Sequence, residues 1–266
     1  MSDRWPRLLG PPPASGTIRT KPEDFRVDEI PAYTPCGQGE HLFCQVEKTD
    51  LNTDQLIRLL ADHLGIQTRD IGCAGLKDRQ AITRQWLSLP AVAGERLDSF
   101  ACQNARILQK DRHTNKLKTG HLKGNRFTIR VRDIAPEQRD DIDGRIEQMS
   151  EKGVPNYYGQ QRFGRDGVNE KDGRSLLAGT ARRMNKRALR FAISAIQSAL
   201  FNDVLAGRIR ADLFSRALAG DLMVKADSGG VFLCEDCQVD QERLARFEIH
   251  PTGPMFGKKM RAPEGQ

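Results

Sequence analysis

The chain has 266 residues, of which 38% are hydrophobic and 29% charged, with a formal net charge of +7 and a pI near 9.2. No apolar run approaches the ~20 residues of a membrane-spanning helix, so an integral helical membrane protein is excluded. The length allows one large domain or two modest ones with a real core, and the basic balance favours an acidic partner, nucleic acid being the commonest.

Met1 to Gly16 is proline-rich, lacks the apolar core of a secretory signal and reads as an irregular arm. Thr17 to Thr20 is a short strand candidate. In Phe25–Val27–Glu29 the alternation is strand-like. His41 to Lys48 is a stronger strand, with Leu42, Cys44 and Val46 on one face. Asn52 or Thr53 caps a helix that runs to Leu64, with Leu56, Leu59, Leu60 and Leu64 as its apolar stripe and Gly65 as its stop. A charged turn, Leu76-Lys77-Asp78-Arg79-Gln80, leads into a strand from Ile82 to Leu89. Ala105 to Gln109 is another strand. Lys110 to Arg126 carries eight basic residues against Asp111 alone, so it is either a phosphate-contact segment or a solvated hairpin.

Phe127, Ile129 and Val131 alternate with polar residues and predict a half-buried strand. Pro136 opens a helix with Ile142, Ile146 and Met149 inward, and Gly153 ends it. The chain is strand-rich before Gly153 and helix-rich after it. Val154 to Gly164 holds two of the three tyrosines and Arg162, which suits RNA stacking or packing against helices. Helices are expected at Gly173–Leu177 and Asn185–Ala206, the second with Leu189, Ile193, Ile196, Leu200 and Val204 as core. Leu222–Lys225 and Val231–Cys234 form a hairpin, and Glu242–Phe247 a short helix.

Two clusters carry candidate chemistry. The first is Lys77-Asp78-Arg79. Nearby cations keep a carboxylate ionised, and a positioned carboxylate can act as nucleophile or base; the alternative is a solvated surface ion pair. The second is Cys234-x-x-Cys237. A structural zinc site needs four ligands, His250 is a possible third and a fourth is not evident, so two ordinary thiols are the expectation. The other cysteines, 36, 44, 73 and 102, are scattered and read as reduced thiols of a cytoplasmic protein. There is no internal repeat and no phosphate-loop, dinucleotide-binding, nucleophile-elbow or H-E-x-x-H signature. The usual NTPases, nicotinamide dehydrogenases, serine hydrolases and zinc proteases are therefore disfavoured.

Four segments stand in order: Arg19-x-x-Pro22-Glu23-Asp24-Phe25-x-Val27-x-Glu29; Ala74-Gly75-Leu76-Lys77-Asp78-Arg79-x-Ala81-x-Thr83-x-Gln85; Leu122-Lys123-Gly124-Asn125-x-Phe127; and Gly153-Val154-Pro155-Asn156-Tyr157-Tyr158-Gly159-x-Gln161-Arg162-Phe163-Gly164. With Asn185-Lys186-Arg187 and His250-Pro251-Thr252-Gly253-Pro254, they resemble the TruD family of tRNA pseudouridine synthases over residues 17 to 257. The resemblance implies an α+β fold. Its mixed, largely antiparallel pseudouridine-synthase sheet, flanked by helices, would occupy a catalytic domain at residues 1–152. A helix-richer TRUD-type domain would occupy 153–266, incomplete because family members usually continue to a final strand and helix. The implied activity is isomerisation of a tRNA uridine, uridine 13 in bacterial members, with no metal, nucleotide or organic cofactor.

Asp78 matches the family's essential aspartate. Phe25 and Phe127 are candidate stacking rings, Asn125 a candidate reader of the uracil edge, and Arg19 a candidate cation to orient Asp78. Lys77, Arg162 and Phe163 complete the substrate-binding candidates. The implied partner is tRNA, with no membrane and no obligatory protein partner, for a cytoplasmic monomer. The alternative, from another class, is a catalytically impaired, truncated relative acting as an RNA-binding protein or RNA chaperone.

Overall fold

The computed structural model describes residues 4–257 and 260–264. It divides into two compact units, Ala14–Gln138 and a second in which the N-terminal arm through Pro13 joins the chain from Arg139 onward. The division falls before the helix that Pro136 introduces, so that helix belongs with the second unit rather than ending the first.

The first unit contains β1 (Phe25–Pro31), β2 (His41–Thr49), α1 (Thr53–Leu64), β3 (Gly72–Cys73), β4 (Ile82–Pro90), α2 (Gly94–Leu97), β5 (Ala105–His113) and β6 (Leu122–Ile129). Among the described residues these strands form a six-stranded sheet in the order β5-β2-β4-β1-β6, with β3 beside β4. The β1–β4 pair is parallel and the other pairs are antiparallel. The fold is therefore α+β with a mixed, largely antiparallel sheet. Thr17 to Thr20 contributes an isolated bridge from Thr17 to Arg132 rather than a strand.

Alternation along β2 puts Leu42, Cys44 and Val46 on the face that α1 covers. Asn52 caps α1 by accepting from the Gln55 N–H at 2.8 Å, and Gly65 closes it at φ 67°. The helix buries Leu56, Leu60, Ala61 and Leu64; Leu59, expected in the stripe, faces solvent because it lies a quarter-turn off that line. Leu87, fully buried on β4, sits between Cys44 of β2 and Cys73 of β3. Leu87→Ala is expected to lower unfolding free energy by about 2–5 kcal/mol in urea denaturation, since the sheet prevents the site from collapsing.

The second unit contains α3 (Arg139–Lys152), α4 (Gln160–Phe163), α5 (Val168–Leu177), α6 (Lys186–Arg210), β7 (Leu222–Lys225), β8 (Val231–Leu233), α7 (Cys237–Ala245) and β9 (Ile249–Pro251). The last three strands form a sheet in the order β8-β7-β9. Two expectations change here. Helix α3 has no buried residue, and Ile146 and Met149 are exposed rather than inward. Helix α6 buries small residues, Ala192, Ala195 and Ala199 with Ile196, while Leu189, Ile193 and Val204 are exposed. Small side chains let α5 approach that face closely, so bulk is not the guide to burial. The N-terminal arm is fastened: Arg4 pairs with Glu170 and Asp203, and the Trp5 ring stacks on Tyr157 and leans on Phe163. Among the described residues no helix is long and apolar enough to cross a membrane.

Candidate active site

The turn between β3 and β4 is tied down residue by residue. Gly72 passes so close to Leu117 that a Cβ would stand 2.3 Å from its carbonyl oxygen, which only glycine tolerates. The Ala74 carbonyl accepts from the Gly120 N–H at 2.9 Å. The Lys77 N–H donates to Thr53 Oγ1 on α1 at 2.9 Å, and that hydroxyl donates to Gln85 Oε1 at 2.9 Å. Lys77 Nζ turns inward onto Glu29 Oε2 at 2.5 Å, and Glu29 Oε1 accepts the Trp86 N–H at 3.1 Å. The Asp78 carbonyl accepts from Lys48 Nζ at 2.8 Å. Arg79 Nε donates to Asp50 Oδ1 at 3.1 Å.

With its backbone anchored, the turn presents the Asp78 carboxylate outward, 48% exposed. Arg19 Nη2 donates to Asp78 Oδ2 at 3.4 Å, and its guanidinium lies 3.9 Å from the centre of the Phe25 ring. That cation–ring contact limits where the guanidinium can go. Arg19 itself sits at φ 60°, a left-handed conformation that costs a non-glycine residue about 1–3 kcal/mol. An open depression of about 480 Å³ adjoins the group, lined by Arg19, Asp50, Asp78, Arg79 and Gln80.

The sheet register explains how distant residues converge here. Lys48 on β2 opposes Thr83 on β4, Thr83 neighbours Val27 on β1, and Val27 opposes Phe127 on β6. Directly opposed residues share a sheet face, so this row runs from a buried lysine to a ring at the sheet edge. Phe127 is 54% exposed and meets the buried Phe25 ring edge-on at 5.9 Å. Asn125, exposed, stands on the same face of β6 opposite Glu29.

Residues 7–186 and 171–266 match the family profile described as tRNA pseudouridine synthase D (TruD). This chain belongs to the TruD family. A tRNA pseudouridine synthase D of Anaeromyxobacter sp. (strain Fw109-5) is 46% identical over 263 residues, covering 96% of this chain and 74% of the relative. A Thermus thermophilus protein of the same name is 44% identical over 266 residues, covering 99% and 74%. In structure, the chain is similar to a putative TruD from Methanosarcina mazei, with a TM-score of 0.76 at 22% identity over 96% of this chain and 75% of that one. That last likeness concerns the fold.

Arg19, Phe25, Lys77, Asp78, Asn125 and Phe127 all lie in the first unit of this TruD-family chain, and their roles divide. Arg19 and Asp78 touch. Lys77, expected to face substrate, is buried in its ion pair with Glu29. Phe25 is buried beneath Arg19, which leaves Phe127 as the exposed ring. Arg162 and Phe163 belong to the second unit. Arg162 donates to Ser194 Oγ at 3.1 Å and lies 5.2 Å from the Tyr158 ring, while Phe163 is buried against Ala195, Ala199 and Trp5.

The basic segment 110–126 is neither one patch nor a loose hairpin. β5 and β6 stand at opposite edges of the sheet, with Lys110 and Arg112 on one and Lys123 and Arg126 on the other. The crossing between them is pinned by buried Leu117, whose N–H donates to Ser88 Oγ at 2.9 Å. The motif segments omit Lys48, Asp50 and Thr53, and they include Gln85 without assigning it a role. Lys48 had a signal: it continues the Leu42–Cys44–Val46 alternation into the buried face. Cys234 is buried, which pushes its thiol up to about 12, and among the described residues no group of three metal-binding side chains surrounds it.

Proposed function

We propose that this chain isomerises a uridine of tRNA, uridine 13, to pseudouridine, with Asp78 as the essential carboxylate. The observation that carries the reading is the outward Asp78 carboxylate beside Arg19 at the mouth of an open depression, in a chain of the TruD family. The reaction breaks the bond from ribose C1′ to N1, turns the base and joins C1′ to C5. The C5 proton leaves and N1 gains one. Substrate and product have the same atoms, so no co-substrate is consumed.

The target base must leave its stack, which costs a few kcal/mol. Phe127, an exposed ring on a rigid strand, suits stacking of the extruded base, and Asn125 has both donors and an acceptor for its edge. Exposed cations such as Lys123 and Arg126 suit phosphate contact. The protein acts in the cytosol as a monomer. Phe127→Ala is expected to lower kcat/KM roughly 5- to 150-fold, the equivalent of about 1–3 kcal/mol of stacking. Its unfolding midpoint in urea should barely move, because the ring is exposed.

The test is incubation with unmodified tRNA, followed by carbodiimide treatment and primer extension. A new stop at uridine 13 supports the reading. Absence of any pseudouridine stop, under conditions where the tRNA binds, would overturn it.

A further inference from the structure

Lys48 is fully buried at the end of the β2 row, yet among the described residues its Nζ meets no carboxylate within ion-pair distance. A buried charge without a paired counter-charge is costly. Its ammonium is instead aimed at one atom, the Asp78 backbone carbonyl. Its row neighbour, Thr83 Oγ1, is buried and has no hydrogen-bond partner among the described residues, so the ammonium reaches past it to the Asp78 carbonyl. The preceding residue, Lys77, is held by Thr53 and Glu29, which leaves the Asp78 carbonyl to Lys48.

We infer that Lys48 is a positioning residue for the reaction: its ammonium clamps the Asp78 carbonyl and so fixes the direction in which the carboxylate leaves the turn. The inference rests on the reading of Asp78 as the catalytic carboxylate. A strand-borne, buried donor is stiffer than the exposed Arg19 contact, and a clamp on the backbone occupies neither carboxylate oxygen itself. Displacement by about 1 Å at such a group can cost 10²-fold in rate.

The charges bearing on Lys48 are those of the turn. Burial comes first and pulls its pKa down to about 8; Asp78 opposes the shift and Lys77 adds to it. From β4, β1 and β5 the row presents Thr83, Val27 and Ala105, and from α1 Thr53, none of which titrates. The clamp therefore loosens as pH rises through about 8. Stability moves the other way. The folded state binds this proton less well than the unfolded chain, so its cost is present below pH 8 and is relieved above it.

The test uses the full chain with Lys48→Met and Lys48→Arg, single-turnover pseudouridine formation on unmodified tRNA from pH 6 to 9.5, and amide hydrogen exchange across residues 76–81. Lys48→Met is expected to lower kcat by about 100-fold with KM unchanged, to lose the alkaline fall that the wild type shows, and to speed exchange in that turn. Lys48→Arg should restore part of the rate. Wild-type kcat in Lys48→Met, or turn exchange equal to wild type, would overturn the inference. If Lys48→Met does not fold, a wild-type profile flat to pH 9.5 overturns it, and a fall near pH 8 supports it. A wild type that makes no pseudouridine overturns the proposed function instead, and turn exchange in Lys48→Met then decides the clamp.

Discussion

Asp78→Asn is expected to abolish pseudouridine formation while leaving the fold and tRNA affinity intact. The separation follows from how the residue is held. The structure fastens the Asp78 backbone, through its carbonyl, and leaves the carboxylate half exposed with Arg19 as its ion-pair partner. An exposed pair of this kind contributes about 0–1 kcal/mol, and an amide of the same shape still accepts from the Arg19 guanidinium. What asparagine lacks is the charge and basicity that the role proposed for Asp78 calls for. Removing a group of that role from other enzymes costs roughly 10⁴- to 10⁶-fold in kcat. The measurement is a single-turnover time course beside a thermal melt. Asp78→Asn turning over within tenfold of wild type would end the case for this carboxylate. Asp78→Glu makes a finer check, since it keeps the charge but moves it by about 1 Å, for which a loss near 100-fold is expected.

Much of the first unit is readable from local pattern because local pattern causes it. Asn52 and Gly65 bound α1 through a cap and a left-handed stop, and the period of two in β2 and β4 reports a face buried under that helix. The charged turn is visible as a break between apolar runs. What the pattern does not carry is the identity of the neighbour across the sheet. Lys77 could as well have met phosphate; its partner, Glu29, lies 48 positions away on β1. That glutamate shares phase with Phe25 and Val27, as Lys48 does with Val46, so two buried charged residues advertise their face but not their purpose.

Edges defeat the same logic. Phe127, Ile129 and Val131 alternate as a half-buried strand should, but β6 ends at Ile129, has a neighbour on one side alone among the described residues, and all three side chains are exposed. Phe163 errs the other way: in a motif that suggests RNA contact, its ring is packed under the N-terminal arm. An aromatic in a glycine-rich motif has no periodicity to say which side of the surface it takes. Helix α6 shows a third limit, because Ala192, Ala195 and Ala199 form the packed face and hydrophobicity ranks them below the leucine and valine that face water.

Lys77→Met is expected to destabilise the first unit by about 3–5 kcal/mol, as breaking one side of a buried ion pair does. Both partners are closed to solvent: the side chains of Lys77 and Glu29 are 4% and 1% exposed. Methionine fills most of the space but leaves the Glu29 carboxylate with the Trp86 N–H as its remaining partner. The protein must then protonate that carboxylate, hydrate it or open the strand around it. Urea denaturation of Lys77→Met and of Lys77→Met/Glu29→Gln separates these costs. A neutral amide can still accept from the Trp86 N–H, so the double variant should recover most of the loss. Recovery would identify the stranded charge, rather than lost packing, as the cause. Activity should not recover in step. Lys77 and Asp78 are adjacent, and the Glu29 tether is one of the contacts that set the turn's height above the sheet. The double variant is therefore expected to melt near wild type and still turn over slowly; full activity would show that Thr53 and Lys48 hold the turn without the ion pair.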